Sequence, residues 1–269
     1  MAESTQPIFL ATAIQAVIKA GAMQLAAIDD LRVEKKGAID LVTQVDREVE
    51  QMFRALVAER FPGHAVLAEE FEVRGDRQNP AEFCWVFDPV DGTTNYAHGL
   101  PIFCCACSLE HHGQPIVAAI YDPNRRELFT AERGRGAWLN GAPMRVSTGA
   151  ATLIDSLLCT GFHYDIHKEG EYVLGLFGDF IKRARAVRRL GSAAIDLAYV
   201  AAGRFDGFWE VRLNPWDISA GALLIEEAGG QVSGLTGEPF DSRRGEILAS
   251  NGRIHAAMAD VIRSRKRTG

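Results

Sequence analysis

The chain has 269 residues and a formal net charge of −6, with 47% apolar and 24% charged residues. These values are typical of a globular protein and exclude a disordered chain, and its 26 glycines and 10 prolines show no collagen-like period. The length suits one large domain or two modest parts that share a core, and the mild acidity argues against a dedicated DNA-binding protein.

Two helices are predicted at the start of the chain. Apolar residues recur at helical spacing over 8–28, and a second helix is predicted to begin between Thr43 and Asp46 and to end at Phe61-Pro62-Gly63. Polar residues interrupt the first helix, so no segment is expected to reach the roughly 18 apolar residues of a membrane span. A signal peptide is not expected either, because a charged leading region and a cleavage site are missing.

Short strands separated by turns follow the two helices. The predicted strands are Ala65–Ala68, Phe83–Phe87, Phe103–Glu110, Gln114–Tyr121 and Leu128–Glu132. His111-His112-Gly113 and Asp122-Pro123-Asn124 are interpreted as turns, and no Cys, His or Asp stands at ligand spacing beside the two histidines. Gly134-Arg135-Gly136 predicts a hairpin turn, since it lacks the spacing of a nucleotide-binding loop. Residues 1–145 are thus predicted to form an α+β part with two helices and an antiparallel sheet.

From Met144 onward, helices and strands alternate. The predicted strands are Leu153–Thr160, Ala186–Arg188, Phe205–Val211 and Ile247–Ala249, and the predicted helices are Tyr172–Lys182, Ser192–Ala201, Asp217–Ala228 and 252–265. Residues 146–269 are therefore predicted to form a C-terminal α/β part. No long linker separates the two parts, so one compact unit is expected.

Five cysteines are present, an odd number that does not suit a disulfide framework, and a reducing cytoplasm is the expected location. Cys104, Cys105 and Cys107 lie in an apolar strand, where cysteine acts as a small hydrophobic residue. A metal site at these thiols is disfavoured, because neighbouring strand residues point to opposite faces and no second pair is present.

The most informative segment follows the buried strand Phe83–Phe87. The strand is predicted to end at Asp88, and Pro89 and Gly92 give a stiff turn that directs Asp88 and Asp91 toward one point. Two converging carboxylates at the end of a buried strand are costly unless a cation binds them, and oxygen ligands suit Mg²⁺. The alternative is that both aspartates only cap a turn or the following helix.

Other acidic residues have similar alternatives. Glu69 and Glu70 end an apolar strand and are often merely solvated in such a position. Asp46 and Asp217 open helices, where an aspartate is commonly an N-cap. No single one of these residues decides the function.

Taken together, these segments resemble the inositol monophosphatase family. Asp88-Pro89-Val90-Asp91-Gly92-Thr93 resembles the first motif of that family, and Trp216-Asp217-Ile218-Ser219-Ala220-Gly221 resembles the second. Glu69-Glu70 and the stretch Asp40-Leu41-Val42-Thr43 leading to Asp46 resemble the preceding blocks. Ser219 stands where alanine is more usual, a change that is expected to be neutral. The resemblance covers nearly the whole chain and implies a layered αβαβα sandwich of the sugar-phosphatase type, of class α+β or α/β.

The resemblance also implies a metal site. The family hydrolyses phosphate monoesters with two or three Mg²⁺ ions. Glu69, Asp88 and the carbonyl of Val90 would hold the first ion, and Asp88, Asp91 and Asp217 would hold the second, with Asp88 bridging. A third, weaker ion would share Glu69.

The same resemblance implies the catalytic roles. Thr93 would orient or deprotonate the attacking water, Asp46 would accept from the Thr93 hydroxyl, and Glu70 would support a ligand or a water. Two divalent ions activate the water and stabilise charge on the entering and leaving oxygens, which this slow hydrolysis requires. Whether Lys35 or Lys36 supports the metal site is left open.

Substrate contacts are expected from further residues. The backbone N–H groups of Gly92 and Thr93 would bind phosphate oxygens. Asp217 and the Ala193 backbone would contact substrate hydroxyl groups. Glu210, seven residues before Asp217, would bind the hydroxyl groups of a sugar or polyol. Glu210 is alternatively a surface acid at a strand end.

The leading hypothesis is a Mg²⁺-dependent hydrolysis of inositol monophosphates to inositol and phosphate. The close alternative keeps the chemistry on another ester: a 3′(2′),5′-bisphosphate nucleotide, fructose 1,6-bisphosphate or histidinol phosphate. A non-enzymatic alternative is a regulatory RNA- or protein-binding role through basic segments 182–189 and 263–267, although aromatic interleaving typical of RNA binding is missing. The family also implies a homodimer and sensitivity to lithium, and no membrane partner is expected.

Overall fold

The computed structural model describes residues 6–35, 41–71, 81–163 and 166–265. The α-helices in these residues are α1 Gln6–Ala27, α2 Gln44–Arg60, α3 Thr93–Ala97, α4 Ile166–Ile181, α5 Ala193–Ala201, α6 Pro215–Glu227 and α7 His255–Ser264. The strands are β1 Val33–Lys35, β2 Leu41–Thr43, β3 Ala65–Ala68, β4 Phe83–Asp91, β5 Cys104–His111, β6 Gln114–Asp122, β7 Glu127–Glu132, β8 Gly136–Leu139, β9 Ala142–Met144, β10 Leu157–Thr160, β11 Ala186–Arg188, β12 Gly207–Val211, β13 Gln231–Ser233 and β14 Glu246–Ser250.

Two larger sheets organise the molecule. Strands β3 to β9 form a seven-stranded sheet in chain order, in which β3 and β4 pair in parallel and all other neighbours are antiparallel. The second sheet has the order β11-β10-β12-β14-β13, with β10 parallel to both of its neighbours. Between Met144 and Leu157 the chain passes from the first sheet to the second. The division into two parts at residue 145 stays a prediction.

The sheets and helices stack in five layers with three apolar cores between them. Helices α1 and α2 cover one face of the large sheet, α5 and α6 fill the space between the two sheets, and α4 and α7 cover the outer face of the second sheet. This order of layers confirms the predicted αβαβα sandwich. Because α5 and α6 lie between the sheets, their N-termini can meet the end of a strand from the large sheet.

Both faces of the large sheet are buried, which explains its continuous apolar strands. Along β5, Cys104 packs into the core shared with α5 and α6, whereas Cys105 and Cys107 pack into the core beneath α1 and α2. All five cysteines are free, and burial raises the pKa of the Cys104 and Cys105 thiols. The interpretation of these residues as small hydrophobic side chains therefore agrees with their positions.

Helix α1 corrects one expectation from the sequence. The segment Ile8–Asp30 is long and apolar enough to cross a membrane by length and composition alone. In the fold, however, Ala13, Ala16 and Val17 are fully buried in the core that α1 shares with the large sheet. The buried core helix of a globular layer passes the same test of composition, so the apolar character of α1 is explained by packing.

Several short elements were not predicted from the sequence. These are β1, β2, β8, β9, β13 and the five-residue helix α3. Residues Leu153–Asp155, predicted as strand, form a 3₁₀ turn stabilised by a hydrogen bond from the Ser156 hydroxyl to the Leu153 carbonyl. Elements of three to five residues span only about one to two and a half periods of a hydrophobic pattern, so periodicity identifies them poorly.

Candidate metal and substrate site

A bulge in strand β4 positions the first two carboxylates. The strand does not end at Phe87, as predicted, but continues to Asp91, with Asp88 opposite Ala106 and Asp91 opposite Cys104. Pro89 and Val90 thus stand opposite the single residue Cys105, so the bulge adds one residue to β4, at a place where proline costs no ladder hydrogen bond. The Val90 N–H donates to Asp88 Oδ1 at 3.0 Å, and Gln24 Nε2 donates to the Pro89 carbonyl at 2.7 Å. The bulge fixes Asp88 and Asp91 within one rigid turn.

Asp91 is held by the N-terminus of α5. Its Oδ2 accepts from the Ser192 hydroxyl at 2.5 Å and from the Ala194 N–H at 2.7 Å, and its Oδ1 accepts from the Ala193 N–H at 3.3 Å. These donors favour the charged carboxylate, as expected at a helix N-terminus. Since the Ala193 N–H already donates to Asp91, it contacts a substrate hydroxyl, as predicted, only by sharing or giving up this bond.

Asp217 both caps a helix and joins the carboxylate group. Its Oδ2 accepts from the Asn214 N–H at 2.6 Å, and the two residues form a capping box at the start of α6. Its side chain also lines the same cavity as Asp88 and Asp91. The capping interpretation of Asp217 is therefore correct, but it does not exclude a role as a ligand.

Asp88, Asp91 and Asp217 form the central cluster of the site. One carboxylate oxygen from each lies within 4.8 Å of the others. Burial raises the pKa of all three, and the neighbouring carboxylates raise the pKa of Asp88 and Asp217 further, so the pKa of both lies well above its ordinary range. Without a cation, this arrangement is electrostatically unfavourable.

A second acidic cluster lies beside the first. Oxygen atoms of Asp46, Glu69 and Glu70 lie within 4.8 Å of one another, and Glu69 is among the residues that raise the pKa of Asp88. The Thr93 hydroxyl donates to the Val90 carbonyl at 2.9 Å and is 3.5 Å from Asp46 Oδ1. The Thr93 hydroxyl therefore lies near Asp46, its predicted partner, but its shorter hydrogen bond goes to the Val90 carbonyl, which was predicted only as a metal ligand.

Glu50 and Arg54, which the sequence analysis missed, hold the segment that carries Glu69. The fully buried Glu50 carboxylate accepts from the Glu70 N–H at 2.6 Å, from the Phe71 N–H at 3.1 Å and from Arg54 Nε at 2.7 Å. Arg54 also donates to the Phe71 carbonyl at 2.9 Å. Glu50 follows Asp46 by one helical turn of α2, a spacing that would have been the only sequence signal for this role.

The clusters open onto a cavity of about 500 Å³ between the two sheets. Glu210 lines this cavity from β12 and is buried, so the alternative of a surface acid is wrong. Burial raises the pKa of Glu210 to about 8, although Arg189 opposes this shift. A Cβ atom at Gly161 would overlap the Glu210 carboxylate, so glycine at this position leaves room for that side chain. Gly92, with φ of +93°, also lines the cavity, beside Thr93.

Asp196 is a further cavity residue that the sequence did not reveal. It lies in the first turn of α5, its Oδ1 has no hydrogen-bond partner among the described residues, and burial raises its pKa well above the ordinary range. Arg189, in the segment after β11, brings a positive charge to the same cavity and lies over the ring of Phe162 at 5.9 Å. A helical pattern alone does not distinguish Asp196 from a solvated acid.

Not every predicted residue lines the cavity. Asp46 and Glu70 lie behind Thr93 and Glu69 and are not among its lining residues. Lys35 ends β1, and Lys36 lies outside the described residues, so their role is not tested. In the basic segment 182–189, Arg183 pairs with Asp179 and Arg185 pairs with Asp155, which reduces its net positive charge.

Comparisons with known proteins agree with this geometry. A sequence model of the inositol monophosphatase family matches residues 6–267. The inositol-1-monophosphatase of Synechocystis sp. is 42% identical over 272 residues, which cover 97% of this chain and 94% of that protein. Nus factor SuhB of Escherichia coli is 42% identical over 255 residues, covering 93% of this chain and 94% of that protein.

Solved structures agree as well. The inositol monophosphatase from Anabaena (Nostoc) superposes with a TM-score of 0.89 at 38% identity, covering 98% of this chain and 99% of that chain. An IMPase/NADP phosphatase complexed with Mg²⁺ and phosphate superposes with a TM-score of 0.80 at 25% identity, covering 92% of both chains.

Proposed function

Because the chain belongs to the inositol monophosphatase family and is a phosphatase, we propose that it hydrolyses inositol monophosphates to inositol and phosphate with two or three Mg²⁺ ions. The observation that carries this proposal is the convergence of Asp88, Asp91 and Asp217 in a cavity that the buried Glu210 also lines. A phosphate ester needs cations at one end and hydroxyl-binding groups at the other.

The donor set fits a hard divalent ion. All ligand atoms offered by Asp88, Asp91 and Asp217 are carboxylate oxygens, which Mg²⁺ prefers, and their raised pKa values reflect buried negative charge that a cation would balance. Glu69 and the Val90 carbonyl would complete the set on the side of Asp88. When bound, such ions activate a water nucleophile and stabilise the negative charge of the transition state.

The remaining residues position the reactants. The Thr93 hydroxyl lies near the Asp46 carboxylate and the Val90 carbonyl, and it would orient the attacking water. As the water proton moves to the Thr93 oxygen, the hydroxyl proton would move to Asp46. Backbone N–H groups of Gly92 and Thr93 bind the phosphate oxygens at the start of α3. Glu50 and Arg54 keep Glu69 and Glu70 in place.

The polyol end of the substrate is bound by Glu210. Its protonated form donates to a hydroxyl oxygen and its ionised form accepts from a hydroxyl group, and the pKa of about 8 makes both forms accessible near neutral pH. Asp217 and the Ala193 backbone contact neighbouring hydroxyls. The alternatives remain a 3′(2′),5′-bisphosphate nucleotide, fructose 1,6-bisphosphate and histidinol phosphate, since the carboxylate cluster is suited to any phosphate monoester.

The proposal is tested by phosphate release over a panel of these esters, with Mg²⁺ and with chelator. We expect turnover with Mg²⁺ only and the highest kcat/KM for inositol monophosphates. Asp91→Asn should lower turnover by at least about 100-fold, because it removes a ligand charge and weakens three hydrogen bonds. If the wild type released no phosphate from any ester of the panel in the presence of Mg²⁺, the proposal would be contradicted.

A matched control for this variant is Asp122→Asn. Asp122 is also buried, but it pairs with Arg125 and does not line the cavity. This variant should lose stability and keep the activity of the protein that remains folded. If both variants behaved alike, the loss in Asp91→Asn would reflect folding rather than chemistry.

A second function is proposed from the relatives named Nus factor SuhB, which are 41–42% identical to this chain. Their name describes a factor rather than a hydrolase, and the exposed basic residues of 182–189 offer a surface for such a role. A gel shift with RNA that weakens with salt would support RNA binding.

Three expectations from the family stay predictions. Analytical centrifugation tests the homodimer, an inhibition assay tests the sensitivity to lithium, and cell fractionation tests the cytoplasmic location.

A further inference from the structure

The tip of the β5–β6 hairpin carries a cluster of possible metal ligands that shares no residue with the cavity. His111 Nε2 lies 3.0 Å from Glu82 Oε1, and the His112 N–H donates to the Glu82 carbonyl at 2.9 Å. One ligand atom from each of Glu82, His111 and His112 lies within 4.8 Å of the others. Glu82 is 29 residues from His111 in the chain, so only the pairing of β4 with β5 brings it here.

The hairpin turn explains how two consecutive histidines face the same point. His111 pairs with Gln114, so the turn consists of His112 and Gly113, whose φ values are +50° and +76°. Positive φ at both central residues is the geometry of a type I′ turn. In an extended strand, neighbouring side chains point to opposite faces. The left-handed conformation of His112 instead places its ring centroid 4.2 Å from that of His111.

The His111 ring is held in place by an aromatic stack. It stacks on Phe83 with a centroid distance of 4.7 Å, and Phe83 stacks on His64 at 4.8 Å. His64 Nδ1 in turn accepts from Trp85 Nε1 at 3.1 Å, which anchors the stack to the core of the large sheet. An imidazole fixed in this way loses little conformational freedom when it binds an ion.

We propose that Glu82, His111 and His112 form a second metal site, which binds a divalent transition ion of the zinc type. Two imidazoles and one carboxylate are a common donor set for Zn²⁺, with the remaining position open to water, whereas Mg²⁺ prefers oxygen donors alone. The side chains of His111 and Glu82 are 38% and 62% exposed, so an ion reaches them from solvent. The protein then separates two kinds of cation: Mg²⁺ at the carboxylate cavity and Zn²⁺ at the hairpin tip.

The test is a calorimetric Zn²⁺ titration of the full chain in saturating Mg²⁺, which occupies the oxygen-only cavity. We expect one equivalent of Zn²⁺ to bind, and Cu²⁺ at the same site to show nitrogen couplings from two imidazoles in its EPR spectrum. Glu82→Gln and His112→Asn should each weaken Zn²⁺ binding at least about tenfold, and the double variant should bind none at the hairpin.

His112→Asn should preserve the hairpin turn, because Asn-Gly is the sequence that type I′ turns prefer. His98→Asn is the matched control: His98 is exposed and outside the cluster, so this variant should bind Zn²⁺ as the wild type does. Phosphatase activity with Mg²⁺ should be unchanged in all of these variants. If the wild type bound no Zn²⁺ in Mg²⁺, or if the double variant kept the same equivalent, Glu82 and His111 would form a surface ion pair only.

Discussion

Glu210 shows how burial changes the behaviour of a single side chain in this protein. Its carboxyl group packs against Gly161 in the wall of the cavity, and its pKa is raised to about 8 because burial disfavours the charged form. The surface position considered from the sequence would have left that pKa near its ordinary value. The same residue is therefore proposed to bind substrate hydroxyls, and its raised pKa reduces stability at alkaline pH.

Glu210→Gln should make the metal-free protein less sensitive to pH. Since the folded-state pKa lies above the unfolded-state value of about 4.5, the unfolded chain releases this proton first as pH rises. The stability of the wild type relative to the variant should therefore fall from about pH 4.5 to about pH 8 and be constant above it. The full difference is a few kcal/mol, at ~1.4 kcal/mol per pKa unit.

This prediction is checked by measuring the unfolding free energy of both proteins with urea, in chelator, at several values between about pH 5 and about pH 9. Comparison of the two proteins at each pH removes the contributions of all other groups. A constant difference in unfolding free energy across the series would mean that Glu210 titrates normally. In the presence of Mg²⁺, Glu210→Gln should also raise KM relative to the wild type. This increase should be larger for inositol monophosphates than for a small aryl phosphate, which has no polyol hydroxyl groups to bind.

Ser219 is the second residue whose role the structure changes. The sequence suggested that serine in place of the usual alanine is neutral. Ser219 is fully buried, however, accepts from the Ser108 hydroxyl at 2.9 Å and donates to Glu110 Oε1 at 2.7 Å. It links α6, which carries Asp217, to strand β5 of the large sheet, and Glu110 also pairs with Arg243.

Ser219→Ala should destabilise the protein by about 1–3 kcal/mol, because it leaves buried polar partners unsatisfied. Urea unfolding in saturating Mg²⁺ measures this cost. In a double-mutant cycle with Ser108→Ala, the combined cost should be smaller than the two single costs added together, since both variants remove the same hydrogen bond. A cost below about 0.5 kcal/mol for Ser219→Ala would support the original expectation that the serine is neutral.

At the scale of elements, helix α2 acts as the support of the acidic loop. Asp46 and Glu50 lie one turn apart, with Asp46 directed to Thr93 and Glu50 to the backbone of Glu70 and Phe71. Arg54, one turn further, contacts both Glu50 and Phe71. The helix thus sets the position of the loop relative to the β4 bulge.

Glu50→Gln should destabilise the fold by roughly 3 kcal/mol, because the amide cannot satisfy two backbone donors and Arg54 as the buried carboxylate does. It should also raise the Mg²⁺ concentration needed for half-maximal activity more than it lowers kcat, since it displaces Glu69 without removing it. Glu48→Gln on the exposed face of α2 is the control and should change neither value. An unchanged Mg²⁺ requirement in Glu50→Gln would limit Glu50 to a structural role.

At the scale of the whole molecule, much of the negative charge behind the net value of −6 is concentrated in one region. Asp46, Glu69, Asp88, Asp91 and Asp217 bring five of the acidic groups to one region between the layers. The raised pKa values of Asp88, Asp91 and Asp217 reflect the cost of burying these charges in the metal-free protein. Bound cations would lower this cost, because ligand binding favours the deprotonated carboxylates.

Mg²⁺ should therefore stabilise the folded protein, and more strongly at higher pH. Stabilisation at 100 times the dissociation constant is ~2.7 kcal/mol per site, which corresponds to a rise of several degrees in Tm. Because the folded-state pKa values are raised, stability without metal falls as pH rises, and Mg²⁺ should restore it. Thermal unfolding at pH 6 and pH 8 (about one unit on each side of neutrality), with Mg²⁺ or with chelator, checks this.

Sodium chloride at matched ionic strength is the control, and it should give a smaller shift because it only screens charge. Asp91→Asn should lose part of the Mg²⁺ response, whereas Asp122→Asn should keep it. An equal shift from both salts would show that the cluster responds to ionic strength and not to a bound divalent ion.

The sequence by itself predicted the layers, through its resemblance to the inositol monophosphatase family, and the candidate residues of the main site. Helical and strand periods predicted most helices and the long strands, since these elements bury a repeating apolar face, and two short motifs identified Asp88, Asp91, Thr93 and Asp217. Each motif is local, so its residues are positioned by their own turn or helix start. The motifs could therefore be recognised before the fold was known.

Only the tertiary structure decided the contacts between distant segments. Three contacts join residues that are far apart in the chain: Glu50 with the Glu70 backbone, Ser219 with Glu110, and Glu82 with His111. The burial of Glu210 and Asp196 likewise depends on distant segments. No period or spacing encodes such pairs, because they depend on the register of strands and the packing of layers. The pKa of a buried acid, and the convergence of ligands from different strands, follow from that packing alone.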